Sequence, residues 1–194
     1  MTALRIGIIV LGSIVAAASL QAQFGVNETV FVSAGRIEMQ LGAGSYTIRP
    51  ASDTHIRVII GSESGRARVG ITTNATRATV SVTDTPSQNF QATIEVPKIS
   101  DLVVRLSGGN LVLSGITGHK DIDSVAGNAE ISIGDPSDYD SMQATVKAGE
   151  LNVGAFSGAR TEDSFGLLRR ASWSGKGKYT LRANLGAGNL VLRK

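Results

Sequence analysis

Four segments in the second half of the chain repeat one small pattern of apolar strand, glycine turn and apolar strand: Leu106-Ser-Gly-Gly-Asn-Leu-Val-Leu113, Val125-Ala-Gly-Asn-Ala-Glu-Ile131, Val146-Lys-Ala-Gly-Glu-Leu-Asn-Val153 and Leu185-Gly-Ala-Gly-Asn-Leu-Val-Leu192. Their turn glycines, Gly109, Gly127, Gly149 and Gly188, are separated by 18, 22 and 39 residues, and Gly166 divides the last interval into 17 and 22. Gly44 and Gly65, 21 apart, carry the same rhythm weakly toward the N-terminus. A repeat of about 20 residues is too short to bury its own apolar row, so it must stack on an equivalent neighbour. The expected architecture is all-β: a β-solenoid with coils of about 20 residues, inward Leu, Ile and Val stacked from coil to coil, and glycine at the corners. Glycine suits those corners because positive φ costs a residue with a Cβ about 1–2 kcal/mol. Asn110, Asn128 and Asn189 follow the glycines and tolerate left-handed geometry. An antiparallel β-sandwich with glycine hairpins uses the same residue types and is the alternative.

Upstream of the repeat, short runs alternate apolar and polar residues with period two: 36–41, 45–49, 55–60, 66–72, 78–83, 90–96 and 102–106. Each predicts a strand with one row inside. No window of helical length after the leader shows a 3.6-residue apolar stripe. Aromatics make up only 5% of the chain, so the core is expected to be aliphatic, as stacked sheets allow.

Residues 1–22 have the order of a secretory signal peptide: Arg5, the apolar run Ile6 to Leu20, then small residues. Cleavage is expected after Ala22, and a retained N-terminal anchor is the alternative. The rest, 23–194, reads as one domain, with a more irregular β part over 23–100 and regular coils over 101–194. No further apolar run predicts a transmembrane helix after removal of the leader. The expected location is therefore outside the cytoplasm of a bacterium, in the periplasm or at the cell surface. The chain has no cysteine, which excludes disulfides, thiolate nucleophiles and Cys-ligated metals. Stability must then come from apolar burial and backbone hydrogen bonds.

The stretch Phe90-Gln-Ala-Thr-Ile-Glu-Val-Pro-Lys98, followed by Asp101 to Leu113, Gly115 to Ser124 and Val125 to Ile131, resembles the bacterial adhesin-like repeat families of unknown function. In those families an alternating strand ends in Val-Pro and leads into glycine-cornered coils. The resemblance covers residues 36–194. It implies a β-helical fold, a cell-envelope location and a surface adhesion-like role, and it carries no catalytic residues.

His119 and Asp121 could pair as base and orienting carboxylate, but no Gly-x-Ser-x-Gly elbow accompanies them. Alternation puts His119, Asp121 and Asp123 outside and Lys120 and Ile122 inside. Asp121, Asp123, Glu130, Asp135, Asp138, Asp140 and Glu150 fall in adjacent coils and could supply a glycosidase carboxylate pair. Asp135-Pro-Ser-Asp-Tyr-Asp140 reads as a solvated turn rather than a calcium loop. Neither a cofactor nor a metal is expected.

Charge is segregated along the chain. Residues 120–159 hold seven acids against Lys120 and Lys147, whereas residues 160–194 hold eight Lys and Arg against Glu162 and Asp163. The expected binding surface for an anionic partner is Arg169, Arg170, Trp173, Lys176 and Lys178. Envelope polysaccharide or another envelope protein is the expected partner, and nucleic acid is not expected. The last segment is expected to end the stack as an open strand, blocked by Arg193 and Lys194 or available for self-association. The leading function is thus a non-enzymatic, exported binding module. A carbohydrate-active enzyme using Asp121 and Asp123, and a purely structural envelope scaffold, are the alternatives.

Overall fold

Alternating side chains leave a strand no choice of face, and in the computed structural model every alternating run of the first half is extended. The structure describes residues 26–32, 34–61, 67–86, 88–164 and 167–194. The leader, Gly65 and Gly166 lie outside the described residues. The first strands are β1 (Val26–Val30), β2 (Gly35–Leu41), β3 (Gly44–Pro50), β4 (His55–Ile60), β5 (Arg68–Thr73), β6 (Arg77–Thr83), β7 (Gln91–Val96), β8 (Ser100–Leu106) and β9 (Gly109–Leu113). Three long strands follow the glycine repeats, β10 (Lys120–Ser132), β11 (Tyr139–Asn152) and β14 (Tyr179–Arg193). Between β11 and β14 come β12 (Arg160–Ser164) and β13 (Leu168–Ser174). All are joined in one open, mixed sheet of fourteen strands among the described residues.

The strands around the repeats run parallel and in register. Gly44 pairs with Gly109, Gly109 with Gly127, Gly127 with Gly188 and Gly188 with Gly149, which makes a ladder across five neighbouring strands. Gly109, Gly127, Gly188 and Gly149 have φ of 107°, 117°, 123° and 132°. Two constraints therefore fix glycine here. An L-residue is strained at these angles, and a Cβ on any of these four would lie under 3.0 Å from the carbonyl oxygen of the glycine stacked beside it. Two of the asparagines that follow bond sideways rather than to their own turn: Asn128 Nδ2 donates to Asn110 Oδ1 at 3.1 Å, and Asn110 Nδ2 to Ser45 Oγ at 3.5 Å.

On either side of the ladder the inward rows run unbroken. One row joins Val80, Met39, Val104, Ile122, Ala183, Ala144 and Ala171, all of them buried. Beyond the ladder, Ile94, Ile48, Leu113, Ile131 and Leu192 form another. These rows are the core, and burial of aliphatic side chains at about 1.5–3 kcal/mol each is its main stabilising contribution.

The order of the layers differs from the order of the chain. β14 lies between β10 and β11 and is parallel to both, and β3 lies between β7 and β9. The 39-residue interval before Gly188 does not hold two coils. It holds an antiparallel hairpin, β12–β13, laid along β11. The last segment is consequently not an open end, because it is paired on both sides. Antiparallel strands stand at the outside of the sheet instead: β5 on β6 and β1 on β4 at one extreme, β12–β13 at the other. The sheet is mixed for this reason: β5, β4, β1, β12 and β13 turn back by reversal, whereas the interior strands stack in parallel.

Candidate binding surface

The side chains opposite the core rows form the outer face of the first half-sheet. Register brings two polar rows together there. One runs Thr79, Glu38, Val103, Asp121, Arg182, Gln143, Ser172 and Arg160; the other runs Ser81, Gln40, Arg105, Asp123, Asn184, Thr145, Arg170 and Glu162. Beside the second row lies a groove of about 1080 Å³ to which seven strands contribute, from β6 and β2 at one end to β11 and β13 at the other. At about 4.8 Å per strand the groove is some 30 Å long and runs across the strands. A recess of about 250 Å³ adjoins it around Thr145 and Arg170, with Arg160 and Glu162 on its wall.

The middle of this face is charge-balanced. Arg105 reaches Asp121 at 3.1 Å and Asp123 at 3.2 Å, and Asn184 Nδ2 donates to Asp123 Oδ1 at 2.6 Å. Its β11–β14 end is not: Lys147, Arg170 and Arg182 line the groove, and none has a carboxylate within 4.0 Å among the described residues.

The five residues singled out in the sequence are dispersed. Arg170 is exposed on this face. Arg169, its neighbour, points to the opposite face of β13 by strand alternation and bonds Asp163 at 3.2 Å. Trp173 packs on Phe156 with ring centroids 5.0 Å apart, and its Nε1 donates to the Ser157 carbonyl at 3.2 Å. Its ring thus covers the end of the core beside β11. Lys176 and Lys178 are exposed in the turn between β13 and β14, where the Lys178 amide donates to the Asp138 carbonyl at 2.8 Å. The cations that do gather with Arg170 are Lys147 and Arg182, which a count along the chain missed. Lys147 stands in the acidic stretch, and only strand parity combined with register reveals that it shares a face with Arg170.

The other candidates have structural partners. His119 accepts the Thr180 amide at Nδ1, at 3.1 Å, and stacks edge-on to Tyr179. Asp121 is held by Arg105 and not by His119. Asp135 caps the short 3-10 turn Pro136–Asp138 through the Ser137 amide at 2.9 Å, and that bond lowers its carboxyl below the usual range.

Lys120 occupies a core-row position between Leu102 and Leu181 and is 1% exposed. Its Nζ donates to the Tyr139 hydroxyl at 2.7 Å and to the Gly118 carbonyl at 3.1 Å. Burial pushes the lysine down to about 8, against the weaker pull of Asp101 and Asp138. Burial likewise raises the Tyr139 phenol.

The continuous register, the glycine ladder and the capped extremes allow comparison with known folds. The chain shares its fold with a solved clostridial protein. That protein, from Clostridium sporogenes and described as a candidate cell adhesion protein, superposes with a TM-score of 0.52 over 87% of this chain and 98% of its own, at 11% identity. A candidate adhesin from Parabacteroides merdae aligns over 87% of this chain and 80% of its own, with a TM-score of 0.29 and 13% identity. One from Parabacteroides distasonis aligns over 87% and 69%, with a TM-score of 0.25 and 10% identity. No protein-family profile and no curated protein matches the chain. Among the described residues no helix is long and apolar enough to cross a membrane.

Proposed function

We propose that the chain is an exported, non-enzymatic β-solenoid that serves as an adhesion-like binding module at a bacterial envelope. The observation that carries this reading is the outer face of the half-sheet, where in-register strands present polar rows along a groove some 30 Å long. Such a face offers many weak, repeated contacts rather than one enclosed reaction centre, which suits display and adhesion. The parallel layering, with inward rows stacked strand on strand, favours a solenoid over two facing sheets. The fold shared with the clostridial candidate cell adhesion protein supports the same role. The enzymatic alternative draws no support from Asp121 and Asp123, since both are engaged by one arginine, Arg105.

The test is retention. Residues 23–194, fluorescently labelled, are titrated onto washed bacterial envelope fractions, and saturable, competable retention is expected. Retention that never saturates, or none at all, refutes the binding reading.

A further inference from the structure

Resting on the binding reading above, we propose that Lys147, Arg170 and Arg182, grouped around Thr145, form a site for an acidic polysaccharide, a linear sugar chain bearing carboxylate or sulfate groups. Three observations converge on it. Arg182 on β14 and Arg170 on β13 flank β11 with a two-residue offset along the strands, so their backbones stand about 12 Å apart, and Lys147 projects from β11 on the same face two residues beyond Thr145. Arg160, on the recess wall, and Arg77 likewise have no ion pair among the described residues, but the remaining arginines near this face and the hairpin are neutralised: Arg105 by Asp121 and Asp123, Arg169 by Asp163, Arg68 by Asp84. Lys147, Arg170 and Arg182 instead remain without an ion pair among the described residues, although Asp121 and Glu162 are the register neighbours of Arg182 and Arg170. Unpaired like charges held close on a rigid sheet repel one another, and an anion laid across them relieves that repulsion while forming charge-assisted hydrogen bonds.

The shape of the site selects the kind of anion. The groove is open and long, which admits an extended chain and wastes most of its length on a single small ion. None of its lining side chains is aromatic. Stacking of bases or of neutral sugar rings is therefore unavailable, and recognition falls to charge and to the hydroxyl and amide groups of Thr145, Ser107 and Asn184. The 250 Å³ recess beside Arg170, walled by Arg160, gives room for a substituent branching from the chain.

The experiment titrates the full chain with polygalacturonate oligomers (carboxylated), heparin oligomers (sulfated), dextran (neutral), phosphatidylglycerol vesicles and oligo-dT. The acidic glycans are expected to bind with an affinity that falls as salt rises, and dextran is expected not to bind. The exposed triple substitution Lys147→Gln, Arg170→Gln, Arg182→Gln is expected to weaken glycan binding at least about tenfold. Lys176→Gln with Lys178→Gln, in the turn, is expected to leave it unchanged, and thermal unfolding checks that both variants fold. The proposal is overturned if neither acidic glycan binds, if the triple variant binds as the parent does, or if vesicles or oligo-dT bind as tightly as the glycans. Saturable envelope retention without glycan binding removes this site and leaves the binding module standing. Glycan binding without retention keeps the site and removes the envelope reading.

Discussion

Substituting alanine into the glycine ladder separates two costs that usually arrive together. Gly134 has φ of +74° and a Cβ there would meet nothing within 4 Å, so Gly134→Ala isolates backbone strain, about 1–2 kcal/mol. Gly127 has φ of +117°, and its added Cβ would collide with the carbonyl of Gly109 on the adjacent strand. Neither atom can swing aside, because both belong to backbone paired on each side. Strain of about 1–3 kcal/mol is then joined by an overpacking cost of about 1–3 kcal/mol, for a total of about 2–6 kcal/mol. A domain of this kind has about 5–15 kcal/mol in all. Urea unfolding followed by circular dichroism and by the single tryptophan, Trp173, reads the difference. With a urea slope of about 2 kcal/mol/M, Gly127→Ala is expected to lower the midpoint by about 2 M and Gly134→Ala by less than about 1 M. Equal shifts for the two variants would refute the idea that close stacking, and not φ alone, demands glycine at these corners.

Further expectations concern the core and its ends. Removing residues 179–194 takes away four leucines, Leu181, Leu185, Leu190 and Leu192, each at most 2% exposed. At about 1.5–3 kcal/mol apiece the loss is comparable to the whole stability, so the shortened chain should lose cooperative unfolding and regain it when a peptide of residues 179–194 is added. Lys120 titrates near 8 when folded and at about 10.4 when unfolded, so the unfolded chain binds more protons between these values and stability should rise with pH above 8. Over the full interval the gain is at most about 3 kcal/mol. Above about pH 10 the buried phenols of Tyr46 and Tyr139 oppose it, since their raised values favour unfolding once they can ionise in the open chain. Lys120→Met should flatten the profile between pH 8 and 10 in urea midpoints measured at each pH. Trp173→Ala should cost about 2 kcal/mol, because the ring is half-buried on Phe156, and should speed amide exchange along β11 and β13 before the remaining strands.

Strand positions were legible in the sequence because period-two alternation is a local property. Each of the seven upstream runs holds a strand, the run 66–72 from Arg68 onward with Arg66 outside the described residues, and parity alone placed Ile122 and even Lys120 inside. The glycine ladder was legible for a similar reason, since a recurring close approach leaves a recurring glycine. The order of the layers was not. Rows of equivalent aliphatic side chains fit one another in any sequence, so nothing local distinguishes Leu190 stacked between Ala129 and Leu151 from a simple succession of coils. The hairpin β12–β13 was hidden by spacing that happened to match two coils. The candidate surface was half legible: the excess of cations was visible, but summing charge along the chain merged Arg169 with Arg170, which point to opposite faces. It also set Lys147 aside with its acidic neighbours, and it treated Trp173 as a surface ring although it seals the core beside Phe156.

The placement of β14 between β10 and β11 governs when the molecule can become whole. β10 and β11 precede β14 in the chain, yet they do not bond to each other, and each keeps a bare edge until residues 179–193 are in place. This half of the sheet therefore cannot assemble by adding layers in the order of synthesis; it waits for a late strand to be threaded between two waiting partners. Bare edges are the species that aggregate or recruit foreign strands.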